Sequence, residues 1–346
     1  MRLHPGRWKR ASGVVVTAAC VAGLSLTSAR ADVADFYRGK TINIVIGYSV
    51  GGGYDVFARL LALHLGRHVP GNPKVVPQNM PGAGSRKAGM YLYEVAPRDG
   101  TTIGTIGRNE PIAPLIEPGV KFDGTKFSWI GSIADDNSIC LAWHNARVKT
   151  WQELQSKELT VAALATGDNT VTVPVMLRNL FGAKVILVKG YPGTNDMFLA
   201  LERGEVEGAC GVSWRPIMMQ RRDWITGKKI NVLVQVALER DPSLPDTPMI
   251  TDFVRDHDQL KTLSLLIATQ AMARPFLSPP GIPDDRKQAL REAFDRTMQD
   301  PQFLADANKA GLYVHPMSGA QIDALLKDIY ATPKDLIERA AKAIQE

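Results

Sequence analysis

Cysteine and histidine are too few and too scattered in this chain to build metal or thiol chemistry. The three cysteines, Cys20, Cys140 and Cys210, form no C-x-x-C pair, and the six histidines include no H-E-x-x-H. No metal site is therefore expected. The run of three glycines at Gly51–Gly53 lacks the Lys-Ser/Thr of a phosphate-binding loop and the spacing of a dinucleotide fingerprint. No cofactor motif and no nucleophile–base pair stands out, so catalysis is not expected. Internal repeats and low-complexity segments are also missing. Its 22% charged and 45% hydrophobic residues are ordinary globular composition, and 346 residues suit two lobes.

An excess of charge is missing too, once the N-terminus is set apart. Arg2, Arg7, Lys9 and Arg10 precede an apolar run from Val14 to Leu26, which is too short to span a bilayer comfortably. Ala29-Arg30-Ala31 fits a small-x-small cleavage site. Residues 1–31 are read as a cleaved secretory signal, with a mature start near Asp32. Thr17-Ala18-Ala19 before Cys20 makes a poor lipidation box. The segment holds five basic residues and no acidic one; without it 41 Lys+Arg become 36, against 35 Asp+Glu. The basic pI of about 9.2 belongs largely to the signal. It gives no argument for a nucleic-acid partner.

The most informative stretch is Thr41 to Leu65. The β-branched run Ile42–Ile46 predicts a buried strand. Phe57, Leu60, Leu61, His64 and Leu65 recur at helical spacing, so His64 is read as a packed core histidine. Between strand and helix lie the glycines. A helix N-terminus offers unpaired N–H groups and a positive dipole end, and glycines let a ligand come close to them. The stretch describes an anion seat.

Strand and helix patterns then alternate, which predicts an α/β fold with mostly parallel sheets. Strands are expected at 74–78, 101–106 and 129–133, then at 139–143, 160–164, 184–189, 206–212 and 230–236. The count separates into two sets near residue 137. Two later turns repeat the first: Thr166–Thr172, and Tyr191–Asp196, where Thr194 and Asn195 supply capping groups. Gly182 closes the helix beginning near Pro174. Helices follow at 284–298 and 300–311, and Ser318-Gly319-Ala320-Gln321 is a capping box. Two lobes presenting such turns across a cleft would grip an anion from both sides.

The order of these segments resembles the Bug family, the periplasmic solute receptors of tripartite tricarboxylate transporters. The resemblance rests on IVIGYSVGGGYDVFARLLA (44–62), QNMPGAGSRKAG (78–89), APRDGTTIG (96–104), VKGYPGTNDMFLALERGEVEGACG (188–211), SLPDTPMITDF (243–253) and LSPPGIPDDRKQALREAFDRTMQDPQF (277–303). It implies a type II periplasmic-binding-protein fold: two α/β lobes joined by two hinge strands, with a ligand cleft between them. Lobe 1 would combine 33–137 with 239–346, and lobe 2 would be 138–238. It also implies a monomeric receptor without cofactor, which passes a small organic carboxylate to separate membrane transporter subunits. The alternative is a periplasmic sensor presenting the ligand to a sensor kinase.

Carried over by the resemblance, the ligand contacts in lobe 1 would be Tyr48, Ser49, Gly52, Gly53, Tyr54 and Asp55, with Gly84 and Asn109 nearby. In lobe 2 they would be Thr166, Asp168, Asn169, Thr170, Tyr191, Gly193 and Asn195, with Trp214 near the hinge. The chain departs from the family pattern at Ser49-Val50, at Tyr54 and at Asp168. Arg108 and Arg215 are candidates for a distal counter-charge. Exported protein should begin at Asp32 on N-terminal sequencing, and a mass still near the full 37.8 kDa would contradict the cleavage site.

Overall fold

The computed structural model describes residues 32–346; the expected signal, 1–31, lies outside the described residues. Two sheets organise the chain. The first contains β1 (Thr41–Ile46), β2 (Lys74–Asn79), β3 (Thr102–Thr105), β4 (Ser128–Ser132), β10 (Pro275–Ser278) and β11 (Met317–Ser318), in the order β11-β4-β10-β3-β1-β2. The second contains β5 (Ser138–Trp143), β6 (Leu159–Ala163), β7 (Val185–Lys189), β8 (Gly208–Ser213) and β9 (Ile230–Val236), in the order β7-β6-β8-β5-β9. The α/β architecture in two sheets agrees with the sequence reading.

The sheets are mixed, which corrects the expectation of mostly parallel pairing. β1 runs parallel to β2 and β3, and β6 runs parallel to β7 and β8. In contrast β10 is antiparallel to β3 and β4, and β5 is antiparallel to β8 and β9. Parallel neighbours need a crossover, usually a helix. β5 follows β4 with only residues 133–137 between them, and it enters a different sheet, where it runs antiparallel to both neighbours. The return is similar: Ile133 and Asp136 donate backbone bonds to Arg274 and Gln270 as the chain comes back toward β10.

The helices used below are α1 (Gly53–Leu65), α2 (Arg86–Glu94), α3 (Asn169–Phe181), α4 (Thr194–Glu202), α5 (Trp214–Gln220), α6 (His257–Ile267), α7 (Asp284–Gln299), α8 (Pro301–Lys309), α9 (Gly319–Tyr330) and α10 (Lys334–Ala343). α3 begins five residues before the expected Pro174, because Asp168 caps it. Pro174 lies inside the helix, in its second turn, where it removes one backbone hydrogen bond. α6, β10 and β11 were not anticipated. The capping box at Ser318 and Gln321 forms as read.

α1 buries Phe57, Leu61, His64 and Leu65 against the first sheet together with α7 and α8. His64 is a core residue, edge-on to Phe303. Gly131 on β4 leaves room for the Phe294 ring of α7: a Cβ there would lie 2.3 Å from the ring. α10 lies on α6 and also reaches α3 of the second sheet. Glu346 beyond it meets Lys189 and Thr166. Cys140 and Cys210 stand side by side on β5 and β8 and are joined as a disulfide, a pairing the sequence left open. Phe294→Ala should cost about 3–5 kcal/mol in urea unfolding, since it empties the packed centre of the first sheet. A loss under 1 kcal/mol would show that this contact is not part of the cooperative core.

Candidate functional site

Three helices begin on one cavity of ≈ 80 Å³ between the two sheets. α1 brings Gly52 and Gly53 from the first sheet; α3 brings Asn169 and Thr170, and α4 brings Thr194 and Asn195, from the second. Gly51 has φ +86°, a left-handed turn that only glycine adopts cheaply. The N-caps of α1 and α4 are Gly52 and Gly193, and neither start has a side-chain cap. The two starts face each other closely: a Cβ on Gly52 would lie 3.8 Å from the Thr194 nitrogen. Uncapped first-turn N–H groups are unsatisfied donors at the positive end of a dipole. Aimed at a shared cavity, they favour an anion.

α3 differs, because it is already capped. Asp168 Oδ1 accepts from the Thr170 N–H at 2.8 Å and from the Thr170 hydroxyl at 2.6 Å. Asp168 Oδ2 accepts from the Tyr48 hydroxyl across the cleft at 2.8 Å. Its charge is therefore engaged by the protein. Burial, followed by the charge of Asp168, pushes the Tyr48 phenol well above its ordinary pKa, so it keeps the proton it donates. Tyr48 stacks on Tyr54 with ring centres 4.3 Å apart, and the Tyr54 oxygen accepts from the Arg108 N–H at 3.0 Å.

Of the residues expected to touch ligand, Tyr48, Gly52, Gly53, Tyr54, Asp168, Asn169, Thr170 and Asn195 line the cavity. The others lie outside the lining. Asp55 is turned away: it accepts from the Gly51 N–H, Asn79 and Arg59, and so braces the glycine turn. Ser49 donates to Asp196 across the cleft at 2.9 Å, and Gly193 makes room for it, since a Cβ there would sit 2.1 Å from that hydroxyl. Gly84 packs against Asp168, where a Cβ would meet the aspartate at 3.2 Å. Asn109 is buried and accepts from Thr269. Thr166 is exposed beside Glu346, Tyr191 belongs to a neighbouring cavity, and the Trp214 indole donates to Ser243.

Of the two arginines singled out, Arg108 lines the cavity, buried and paired with Asp136. Arg215 instead lies near Asp241 and stacks over Tyr313. Sequence reasoning missed Arg274, Arg221, Ser213 and Phe198, which also line it. Arg274 carried a signal, being the only charged residue between Lys261 and Asp284. The expectation that the chain has no G-x-S-x-G elbow is corrected by Gly47-Tyr48-Ser49-Val50-Gly51, which matches that pattern. The match has no chemistry behind it. Ser49 is not among the described residues with positive φ, its hydroxyl bonds to Asp196, and no histidine lines the cavity.

Behind the cavity a second cross-sheet contact holds a titratable group. Arg86 on α2 donates to Glu110 at 3.1 Å and pairs with Glu117 at 2.9 Å, with Gly167 of the other sheet packed against all three. Burial raises Glu110 to a pKa of about 7, although Arg86 opposes the shift. The folded state thus holds a proton that the unfolded chain releases near 4.5. Stability from this group is present below that value and is lost as pH rises through about 7. Between pH 5 and 8 the wild type should therefore lose more melting temperature than Glu110→Gln. Parallel profiles would show that Glu110 is ionised throughout.

Comparison with known proteins adds the following. No family model matches the chain. A protein of Cupriavidus necator described as "UPF0065 protein in gbd 5'region" is 24% identical over 340 residues, covering 95% of this chain and 96% of that one. Among solved structures, the periplasmic binding protein BugD superposes with TM-score 0.70 at 20% identity, covering 89% of this chain and 98% of its own. MatC of Rhodopseudomonas palustris, solved with bound malate, superposes with TM-score 0.67 at 18% identity, covering 88% and 99%. The protein has the two-lobed fold of the periplasmic binding proteins and is similar, along nearly the whole described chain, to Bug-type receptors.

Proposed function

We propose that this protein is a periplasmic solute receptor, exported by its signal, that captures a small organic carboxylate. The carrying observation is the pair of uncapped helix starts, α1 and α4, that meet from opposite sheets on one cavity. A carboxylate there accepts from amides already aligned, and charge-assisted bonds of this kind contribute about 1.5–3 kcal/mol each. The malate held by MatC, a protein of the same fold, supports the same class of ligand here.

The two lobes, 33–137 with 239–346 and 138–238, work as a clamp on this reading. Tyr48–Asp168 and Ser49–Asp196 are bonds between them that form when the clamp is shut. Closure removes water from the carboxylate and strengthens every bond to it. The protein acts as a monomer without metal or cofactor. It hands its ligand to the membrane subunits of a tripartite tricarboxylate-type transporter.

A thermal-shift screen of di- and tricarboxylates, aromatic acids and amino acids tests the reading. A true ligand at 100 times its Kd should add about 2.7 kcal/mol of stability. Stabilisation by uncharged compounds alone would refute it. Gly53→Val should weaken binding at least about tenfold, because a Cβ at this position already lies 3.4 Å from Arg274 Nη2. Unchanged affinity by calorimetry would remove the α1 start from the site.

A further inference from the structure

Arg274 is a buried guanidinium without a carboxylate of its own. It is only 5% exposed, and among the described residues no Asp or Glu pairs with it. Nη1 donates to the Ala273 carbonyl at 2.8 Å and Nη2 to the Ser213 hydroxyl at 2.9 Å, while Nε has no partner. Its hydrogen-bonded link to Asp136 runs through Ser213, which donates to the Asp136 Oδ2. The same Oδ2 is already paired with Arg108. Two buried arginines therefore share one carboxylate, and Arg274 itself is left without an ion pair.

The aromatic rings nearby do not remove it. The guanidinium carbon lies 4.9 Å from the Tyr54 ring centre and 5.5 Å from that of Phe57. Such contacts soften a desolvated cation without neutralising it. Asp168 lines the same cavity but is bonded to the Thr170 N–H and the Tyr48 hydroxyl and makes no ion pair with Arg274. A buried charge left unpaired is costly, so proteins supply a counter-ion. Here the position of the guanidinium names the counter-ion. It lies over the α1 start: a Cβ on Gly53 would be 3.4 Å from Nη2 and 3.7 Å from Nε.

We propose that Arg274 is the specificity-determining ion partner of the ligand, its guanidinium and the α1 amides holding the same carboxylate. The inference rests on the carboxylate reading above and adds a source of discrimination. Amides alone would accept any acceptor oxygen, including that of a neutral carboxamide. A guanidinium left unpaired by such a ligand penalises it, and a site built around one polar group rejects analogues lacking it by large factors. The ligand's charge is then required for recognition as well as its shape.

The test uses the mature chain with malate, succinate, adipate and benzoate, each beside its amide, by calorimetry and thermal shift. Any acid that binds the wild type should bind at least about 100-fold more tightly than its amide. Arg274→Gln should weaken that acid by about 10- to 100-fold and shrink the acid-to-amide ratio, while Arg274→Lys recovers part of both. Melting curves without ligand show whether each variant folds. If Arg274→Gln does not fold, the lysine variant and the wild-type ratio decide. An amide binding as well as its acid, or an acid indifferent to Arg274→Gln, overturns this inference and leaves the carboxylate reading standing. Binding of amides alone, or of no acid in the set, counts against both.

Discussion

The structure depends on bringing two uncapped helix starts to face each other. Each leaves backbone donors unpaired, and unpaired donors out of water are costly. α1 and α4 grow from different sheets, so only the assembled molecule sets them opposite each other. The neighbouring contacts serve that juxtaposition. Asp55 ties the glycine turn to β2 through Asn79, and Gly193 lets Ser49 reach Asp196. α3 shows the contrast, since its own aspartate caps it and leaves less for a ligand to do.

A second layer of the site is ionic and sits behind the first. Arg108, Asp136, Ser213 and Arg274 form one connected group where the chain passes between its sheets. Asp136 lies just before β5, Ser213 ends β8 and Arg274 immediately precedes β10, so the group records how these segments come together. Arg108 and Arg274 both hold the Asp136 carboxyl below its usual range against the opposing effect of burial. Tyr54 joins the layers: it stacks on Tyr48, accepts from the Arg108 backbone and lies beside Arg274. A small residue there would leave the guanidinium only Phe57 as an aromatic neighbour.

Much of the site was legible because its parts are local. Gly51 to Gly53 between a buried strand and an amphipathic helix already states an uncapped start, whereas Thr194 and Asn195, read as capping groups, lie inside a helix whose N-cap is Gly193 and which no side chain caps. What local reading misjudged was direction. Asp55 sits in the right turn, yet its carboxylate bends back to the Gly51 N–H. Trp214 is near the cavity, yet its indole is spent on Ser243. Arg215 stacks over Tyr313 while Arg274, some sixty residues later, lines the cavity, because side-chain orientation follows from packing and not from position along the chain. The elbow-like Gly47–Gly51 shows the same limit, since a pattern of five residues carries no information about a distant base.

By itself the sequence determined the α/β alternation, the division of strands near residue 137, the buried strand and glycine turn at 41–53, and the near balance of charge beyond residue 31. These follow from periodicity, turn chemistry and composition, which act within a few residues. Tertiary structure alone decided the mixed direction of the sheets, the Cys140–Cys210 pairing and the sharing of Asp136 between two arginines. Each joins segments from 28 to 150 residues apart. Such contacts are chosen by how the whole chain buries its apolar surface while satisfying its buried charges, and no local stretch contains that information.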